Sequence, residues 1–259
     1  RQVAERIGTD HNEIVIGQRE FCDFLPYFVH YTDEPMADLA SIPLYYVSRL
    51  AREKVKVVLS GEGSDEILGG YDFDLWVREM DRRRSFQRLP RWLRHDAILA
   101  IMARLLGGRF VENFAIDNTP TDLRLLPNPL NMTNYLTSEA KQTLFVEHMP
   151  YEDSMNRVRS EVMSVQCSDP LHQRLYIFCQ SWLVEDLLMK ADRMSMANSI
   201  ELRTPFLDYR LVEWAARSPS KIKVGKNLDG KYETKRVLRQ FKRGRLPAEI
   251  IQRSKMGFP

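Results

Sequence analysis

The stretch "VVLSGEGSDEILGGY", Val57 to Tyr71, changes character halfway along. Apolar, β-branched residues run directly into Gly61 and Gly63, which are interleaved with Glu62, Ser64, Asp65 and Glu66. The first part reads as a buried strand and the second as a glycine-rich loop that feeds a helix. Glycines in such a loop let the backbone approach a ligand, and Asp65 and Glu66 fall where a helix N-terminus favours negative charge. In parallel α/β sheets, ligands bind beyond the carboxyl ends of the strands, which is where this loop would lie. Carboxylates facing a phosphate need a cation between them, and Mg²⁺, held by one or two carboxylates plus phosphate oxygens, is the candidate. The alternative is that Asp65 and Glu66 serve only the helix dipole while Glu62 faces water. The loop by itself leaves both readings open.

Working outward, "RQVAERIG" reads as the end of an amphipathic helix stopped by Gly8, and "NEIVIG", residues 12–17, as a short strand. A helix follows from Pro43 to about Lys54 with Ser41 as its N-cap, and a strand from Val55 to Leu59. This order implies βαβ units and a parallel sheet. Beyond Tyr71 the pattern turns helical: "RWLRHDAILAIMARLLGG" at 91–108, "TSEAKQTLFVEHM" at 137–149, and a stripe of Leu171, Leu175, Phe178 and Trp182 that reads as core packing. Residues 112–135, rich in Pro and Asn, read as a long connection. The organisation expected is an α/β nucleotide-binding part over 1–75 and a mostly helical part over 76–259. The chain opens inside a helix pattern and ends on "KMGFP" without capping residues, so the expectation is a piece of a longer protein.

Composition bounds the rest. The 259 residues are 44% hydrophobic and 28% charged, values of an ordinary globular protein that exclude a disordered chain or a coiled coil. A net charge of +3, with the basic residues dispersed, argues against nucleic acid. No apolar run is long enough to span a bilayer and no secretory pattern opens the chain, so no membrane role is expected and the cytoplasm is the default location. Cys22, Cys167 and Cys179 lack metal-type spacing and read as small core residues.

Two further stretches carry charge into apolar surroundings. "LLMKADRMSMANSIELRTPFLDYRLVEWA", Leu187 to Ala215, embeds Lys190, Asp192, Arg193, Glu201, Arg203 and Asp208 among apolar residues. Buried charges are paired, so this is either a network anchoring the helical part or part of a site. "GKYETKRVLRQ" places Lys231, Lys235, Arg236 and Arg239 on an expected helix, mostly as a solvated face, where one lysine turned inward would be a phosphate ligand.

Taken in order, "ERIGTDHNEIVI", "EPMADLASIPLYYVSRLA", "LSGEGSDEILGGY", "DRMSMANSIELRTPFLDYRLVEWA", the lysine helix and "LPAEIIQRSKMGF" resemble the synthetase domain of the glutamine-dependent asparagine synthetases. The resemblance covers nearly the whole chain and is weakest over 81–166. It implies an ATP-pyrophosphatase fold of the adenine nucleotide alpha hydrolase type, an α/β parallel sheet with a large helical part. It also implies ATP-dependent amidation of aspartate through β-aspartyl-AMP. By that resemblance Ser60 and Gly61 contact adenosine, Asp65 holds Mg²⁺ and pyrophosphate, and Lys235 neutralises phosphate charge. Glu62 positions ammonia or takes up its proton, Asp38, Ser41, Glu201 and Arg203 shape the acid pocket, and Lys255 reaches the phosphates. The family's Ser-Gly-Gly-x-Asp-Ser loop is not found in the chain, and neither is a glutaminase half with its N-terminal cysteine. The expectation is therefore half of an ATP site with no ammonia source, inactive alone, with an exposed sheet edge that invites self-association into a homodimer. Two other readings remain open: an adenylating relative such as a β-lactam synthetase or peptide cyclase, and a non-catalytic scaffold of the same fold.

Overall fold

Gly8 ends the first helix in the computed structural model, which describes residues 1–36, 38–71, 73, 77, 160, 164, 167, 169–227 and 229–253. This helix, α1 (Gln2–Ile7), stops because Gly8 turns left-handed at φ 76° and its N–H caps Ala4 O, a conformation that costs residues with a Cβ about 1–2 kcal/mol. The chain forms two compact units, one of Arg1–Tyr71 with Phe178–Pro259 and one of Asp72–Ile177.

Residues 12–17, expected as a strand, are not one. Ile14 and Val15 are exposed, and no described strand runs beside them to take up their backbone groups. The preceding turn is held by Lys54, whose Nζ donates to Asn12 Oδ1 at 3.0 Å and lies 3.2 Å from Asp10 Oδ2.

The base of the first unit is a layer of three helices. α2 (Gln18–Thr32) starts at Gly17, whose N–H donates to the Glu20 carboxylate at 3.0 Å. Its Phe24 and Phe28 pack against Ile42 and Tyr46 of α3 (Ser41–Arg52) and against Met194, all buried. Phe24 stacks on Tyr45 with ring centroids 4.0 Å apart, and the Tyr46 hydroxyl donates to Glu20 O at 2.8 Å. Burying side chains of this size is worth about 1.5–3 kcal/mol each. α3 starts at Ser41 rather than Pro43, and Ala40 occupies its N-cap. Ser41 does not cap: its hydroxyl donates to Asp38 O at 2.7 Å, while the Asp38 carboxylate accepts the Ala40 N–H at 2.9 Å.

β1 (Val57–Leu59) pairs in parallel with β2 (Glu201–Arg203), Val58 opposite Leu202. Among the described residues the only other sheet is also two-stranded. The fold described is thus mixed helical with small sheets, and the broad parallel sheet expected from the sequence is not present among these residues. With β2 as the one described neighbour of β1, Val57 and Leu59 are exposed, Leu59 by 74%, where a buried strand was expected.

Of the expected core stripe, Leu171, Leu175 and Phe178 are buried on a helix spanning Pro170–Gln180, and Trp182 is partly buried. Asp169 caps this helix by accepting the Leu171 N–H at 2.9 Å. A π-helical turn over Leu183–Leu188 then leads straight into the helix Met189–Met196, which carries Met194 into the core. The helices expected at 91–108 and 137–149, and the connection at 112–135, lie outside the described residues. No described helix is long and apolar enough to cross a membrane. Cys22 is exposed rather than in the core, Cys167 and Cys179 are partly buried, and none is in a disulfide.

Candidate active site

The parallel pairing of β1 with β2 brings two distant stretches side by side. The Ser60 N–H continues the ladder by donating to Arg203 O at 2.8 Å, so the loop after β1 starts beside "TPFLD". The Ser60 hydroxyl accepts the Glu62 N–H at 3.3 Å, folding the loop over itself. Gly63 sits at φ 85°, and a Cβ there would overlap Leu207 Cδ2 and stand 2.6 Å from Leu207 Cγ. Glycine is therefore required twice over, by conformation and by the close approach of Leu207. The loop feeds α4 (Ser64–Leu68), whose Ile67 and Leu68 are buried with Ala215. Asp208, the last residue of "PFLD", is a helix cap. Its carboxylate accepts both the Arg210 N–H and Arg210 Nε at 3.0 Å, and that guanidinium holds it down to about 2.

Lys235 reaches this loop from a different element. The lysine helix expected from the sequence starts only at Arg236, and Lys235 is its N-cap in the left-handed conformation, φ 48° and ψ 38°. Lys231 is not on it. The Asn227 side chain accepts the N–H groups of Asp229 at 3.0 Å and Lys231 at 2.9 Å and folds this stretch into a turn between the short strands Gly225–Lys226 and Tyr232–Glu233. The left-handed cap aims Lys235 back at α4. Its N–H donates to Gly69 O at 3.3 Å, and its Nζ donates to Ser64 Oγ at 2.8 Å and lies 3.0 Å from Asp65 Oδ1. Asp65 in turn lies flat on Gly70, where a Cβ would overlap its Oδ1 and Cγ. Both side chains stay partly open to solvent, Lys235 by 24% and Asp65 by 21%, so a carboxylate and an ammonium are presented together.

A second charged group forms around Lys190, which is buried and ion-paired with the Asp38 carboxylate. Asp186, one helical turn before Lys190 on the π-helical segment, has its carboxyl pushed up to about 6. Burial is the main cause; the negative charge of Asp38 adds to it, Lys190 opposes it, and Glu62 contributes a smaller push. The field of this group thus extends to the loop after β1.

The sequence-derived candidates divide accordingly. Ser60, Gly61, Glu62 and Asp65 share one loop, and Lys235 joins it by direct contact. Gly61 has open space where a Cβ would stand. Glu201 and Arg203 sit on β2, paired with each other at 2.8 Å and mostly exposed, and are tied to Ser60 through the backbone. Asp38 is committed to Lys190 and Ser41 is fully buried. Lys255 lies outside the described residues. Ser64, Gly70 and Asp186 were not singled out from the sequence; the acid–lysine spacing in "EDLLMK" was the available signal for the last. Among the described residues no group of three or more His, Cys, Asp or Glu is placed to hold a metal. Asp65 therefore fits Mg²⁺ only as an ion carried largely by phosphate oxygens, where one or two carboxylates suffice.

The sequence pattern of the asparagine synthase family matches residues 1–259. The chain belongs to the asparagine synthase family. It is 31% identical over 261 residues to asparagine synthetase [glutamine-hydrolyzing] 1 of Bacillus subtilis (strain 168), covering 100% of this chain and 39% of that protein. To a putative asparagine synthetase [glutamine-hydrolyzing] of Mycobacterium tuberculosis (strain ATCC 25618 / H37Rv) it is 35% identical over 258 residues, 99% of this chain and 37% of the relative. Amidase chyE of Penicillium rubens is 25% identical over 274 residues, 100% of this chain and 40% of that protein. The chain thus spans about two fifths of the length of these relatives. In this member of the family the "LSGEGSDE" loop meets Lys235 by direct contact.

Proposed function

We propose that this chain supplies one side of the ATP site of an enzyme that adenylates aspartate and transfers ammonia, derived from glutamine, to make asparagine. The observation that carries the reading is the contact of Lys235 Nζ with Asp65 Oδ1 at 3.0 Å and Ser64 Oγ at 2.8 Å, at the mouth of a glycine loop.

In the first step a carboxylate oxygen of the acid attacks the α-phosphorus of ATP, and the bond to the leaving pyrophosphate breaks. Lys235 would meet the negative charge that grows on the pyrophosphate, and Asp65 would help to hold Mg²⁺, which would supply charge neutralisation at the leaving group. Ser60 and Gly61 lie on the approach to the nucleotide, and open space at Gly61 suits contact with a flat base or a ribose. In the second step ammonia attacks the acyl carbon, AMP leaves with its electron pair, and one proton passes to Glu62, the half-buried carboxylate of the same loop. With Asp38 neutralised by Lys190, the remaining negative charge of Asp186 and Glu62 favours a substrate that carries an ammonium group. By the resemblance Glu201 and Arg203 would complete the acid side and Lys255 the phosphate side, while Ser41, fully buried, would act only by holding the Asp38 backbone.

The test is ATP–pyrophosphate exchange by the full-length protein with a panel of acids. Exchange with aspartate supports this reading. Exchange only with another acid supports a second reading, suggested by the amidase-named relatives, in which the adenylating step is shared and the product differs.

A further inference from the structure

Glu66 is the third carboxylate of the loop, and the chemistry above does not use it. It is 1% exposed. Burial pushes its carboxyl up, while the hydroxyl of Tyr71, which donates to it, pulls the other way. A carboxylate so placed costs stability where an apolar residue of similar volume would not, so its contribution lies in the geometry that it holds.

That geometry is a short chain of contacts. Trp182 Nε1 donates to the Tyr71 hydroxyl at 3.3 Å, and the Tyr71 ring packs on Phe178 with centroids 5.6 Å apart. Tyr71 carries this contact in a left-handed backbone, φ 47°, which is unfavourable for a residue with a Cβ and persists only where side-chain contacts enforce it. The two residues before Tyr71 are those on which the candidate site rests. The Gly70 N–H donates to Asp65 O at 2.9 Å, and Gly70 leaves room for the Asp65 carboxylate. Gly69 O accepts the Lys235 N–H at 3.3 Å. A turn of three residues therefore carries the carboxylate, the lysine and the buried anchor at once.

We propose that Glu66 and Tyr71 are positioning residues: their buried hydrogen bond, braced by Trp182, holds the Gly69–Tyr71 turn on which the Asp65–Lys235 pair is built. Resting on the reading of that pair as the phosphate side of a nucleotide site, they thereby set the affinity for the nucleotide rather than for the acid. Tyr71→Phe removes only the hydroxyl. Losing one buried hydrogen bond to a charged group corresponds to about a tenfold change in the equilibrium it supports.

The experiment uses the full-length protein and two readouts. Amide hydrogen exchange at Lys235, whose N–H is bonded to Gly69, is expected to quicken about tenfold in Tyr71→Phe, the local opening following the lost bond. In ATP–pyrophosphate exchange the KM for ATP is expected to rise about tenfold, with the KM for the acid unchanged. Glu66→Gln keeps an oxygen acceptor for Tyr71 and is expected to recover most of the wild-type behaviour, whereas Glu66→Leu matches Tyr71→Phe and the double variant is no worse than either single one. Unchanged protection of Lys235 in Tyr71→Phe overturns the proposal. So does an equal rise in both KM values, the mark of general destabilisation. If the wild-type protein exchanges pyrophosphate with no acid, the nucleotide reading itself falls, and the protection of Lys235 still decides whether the turn holds the pair.

Discussion

Gly70→Ala is the perturbation that the geometry judges most sharply. Gly70 needs no left-handed backbone, since it is absent from the glycines with positive φ, so any effect must come from the added methyl. That methyl would overlap Asp65 Oδ1 and Cγ and stand 2.8 Å from Asp65 Cβ. The Asp65 carboxylate must leave, breaking its 3.0 Å contact with Lys235. A hydrogen bond between charged groups is worth about 1.5–3 kcal/mol, and a displaced side chain off its rotamer adds about 0.5–1.5. The stiffer unfolded chain of an alanine returns about 0.4–1 kcal/mol. The net loss is about 1–4 kcal/mol, which in a domain of this size lowers the melting temperature by about 2–16 °C. Thermal unfolding measures it, with Gly61→Ala as the control: nothing stands within 4 Å of a Cβ there, so stability is expected to hold while nucleotide binding falls. In an Asp65→Ala background the overlaps with Oδ1 and Cγ are gone and only the 2.8 Å approach to Cβ remains, so Gly70→Ala should cost clearly less stability there than in the wild-type background, by the rule that contacting residues are not additive. A Gly70→Ala protein as stable as wild type, or an unreduced cost in the Asp65→Ala background, would show that the Asp65 carboxylate does not rest on Gly70.

The remaining predictions follow the same geometry. Gly63→Ala combines the left-handed penalty with overlap onto Leu207 and is expected to cost about 2–5 kcal/mol in a urea titration. Lys190→Met removes a buried partner from Asp38 and leaves uncompensated carboxyl groups, an expected loss of about 2–4 kcal/mol that Asp38→Asn in the same chain should partly restore. Asp186 titrates near 6 in the fold, above its ordinary value of about 3.9, so the folded protein holds a proton the unfolded chain has released. Its contribution is present below about pH 4 and is lost as pH rises through about 6. Asp186→Asn is therefore expected to stabilise the protein at pH 8 by about 1–2 kcal/mol after solvent screening, with the gain disappearing near pH 4, as read from melting curves at both pH values.

What the sequence made legible was local. The stop at Gly8, the helix opening at Ser64 directly after the glycine loop, and the apolar stripe of Leu171, Leu175 and Phe178 each follow from residues within a few turns of each other. The failures share a cause. Residues 12–17 have the composition of a strand, but a strand is defined by its neighbour, and none is described beside them. Lys235 looked like the second turn of a helix, because spacing alone cannot reveal that Asn227 and Gly230 divert the preceding residues into a hairpin. The pairing of Asp38 with Lys190 joins residues 152 positions apart, and charge content told only that Lys190 would need some partner. The Glu66–Tyr71–Trp182 chain is of the same kind: its first contact spans five residues and its second 111. Resemblance to a family proposed roles for Glu62, Asp65 and Lys235, whereas the turn that carries Asp65 and Lys235 became visible only in three dimensions.

The role proposed for the Asp65–Lys235 pair is in adenylation of an acid by ATP. The measurement that tests it most directly is aspartate-dependent ATP–pyrophosphate exchange in the full-length protein, compared between wild type and Lys235→Gln. The geometry calls for exchange in the wild type and a fall of about 10²–10³-fold in the variant, the scale of losing one preorganised electrostatic group, with the fold intact by circular dichroism. Undiminished exchange in Lys235→Gln would contradict the account.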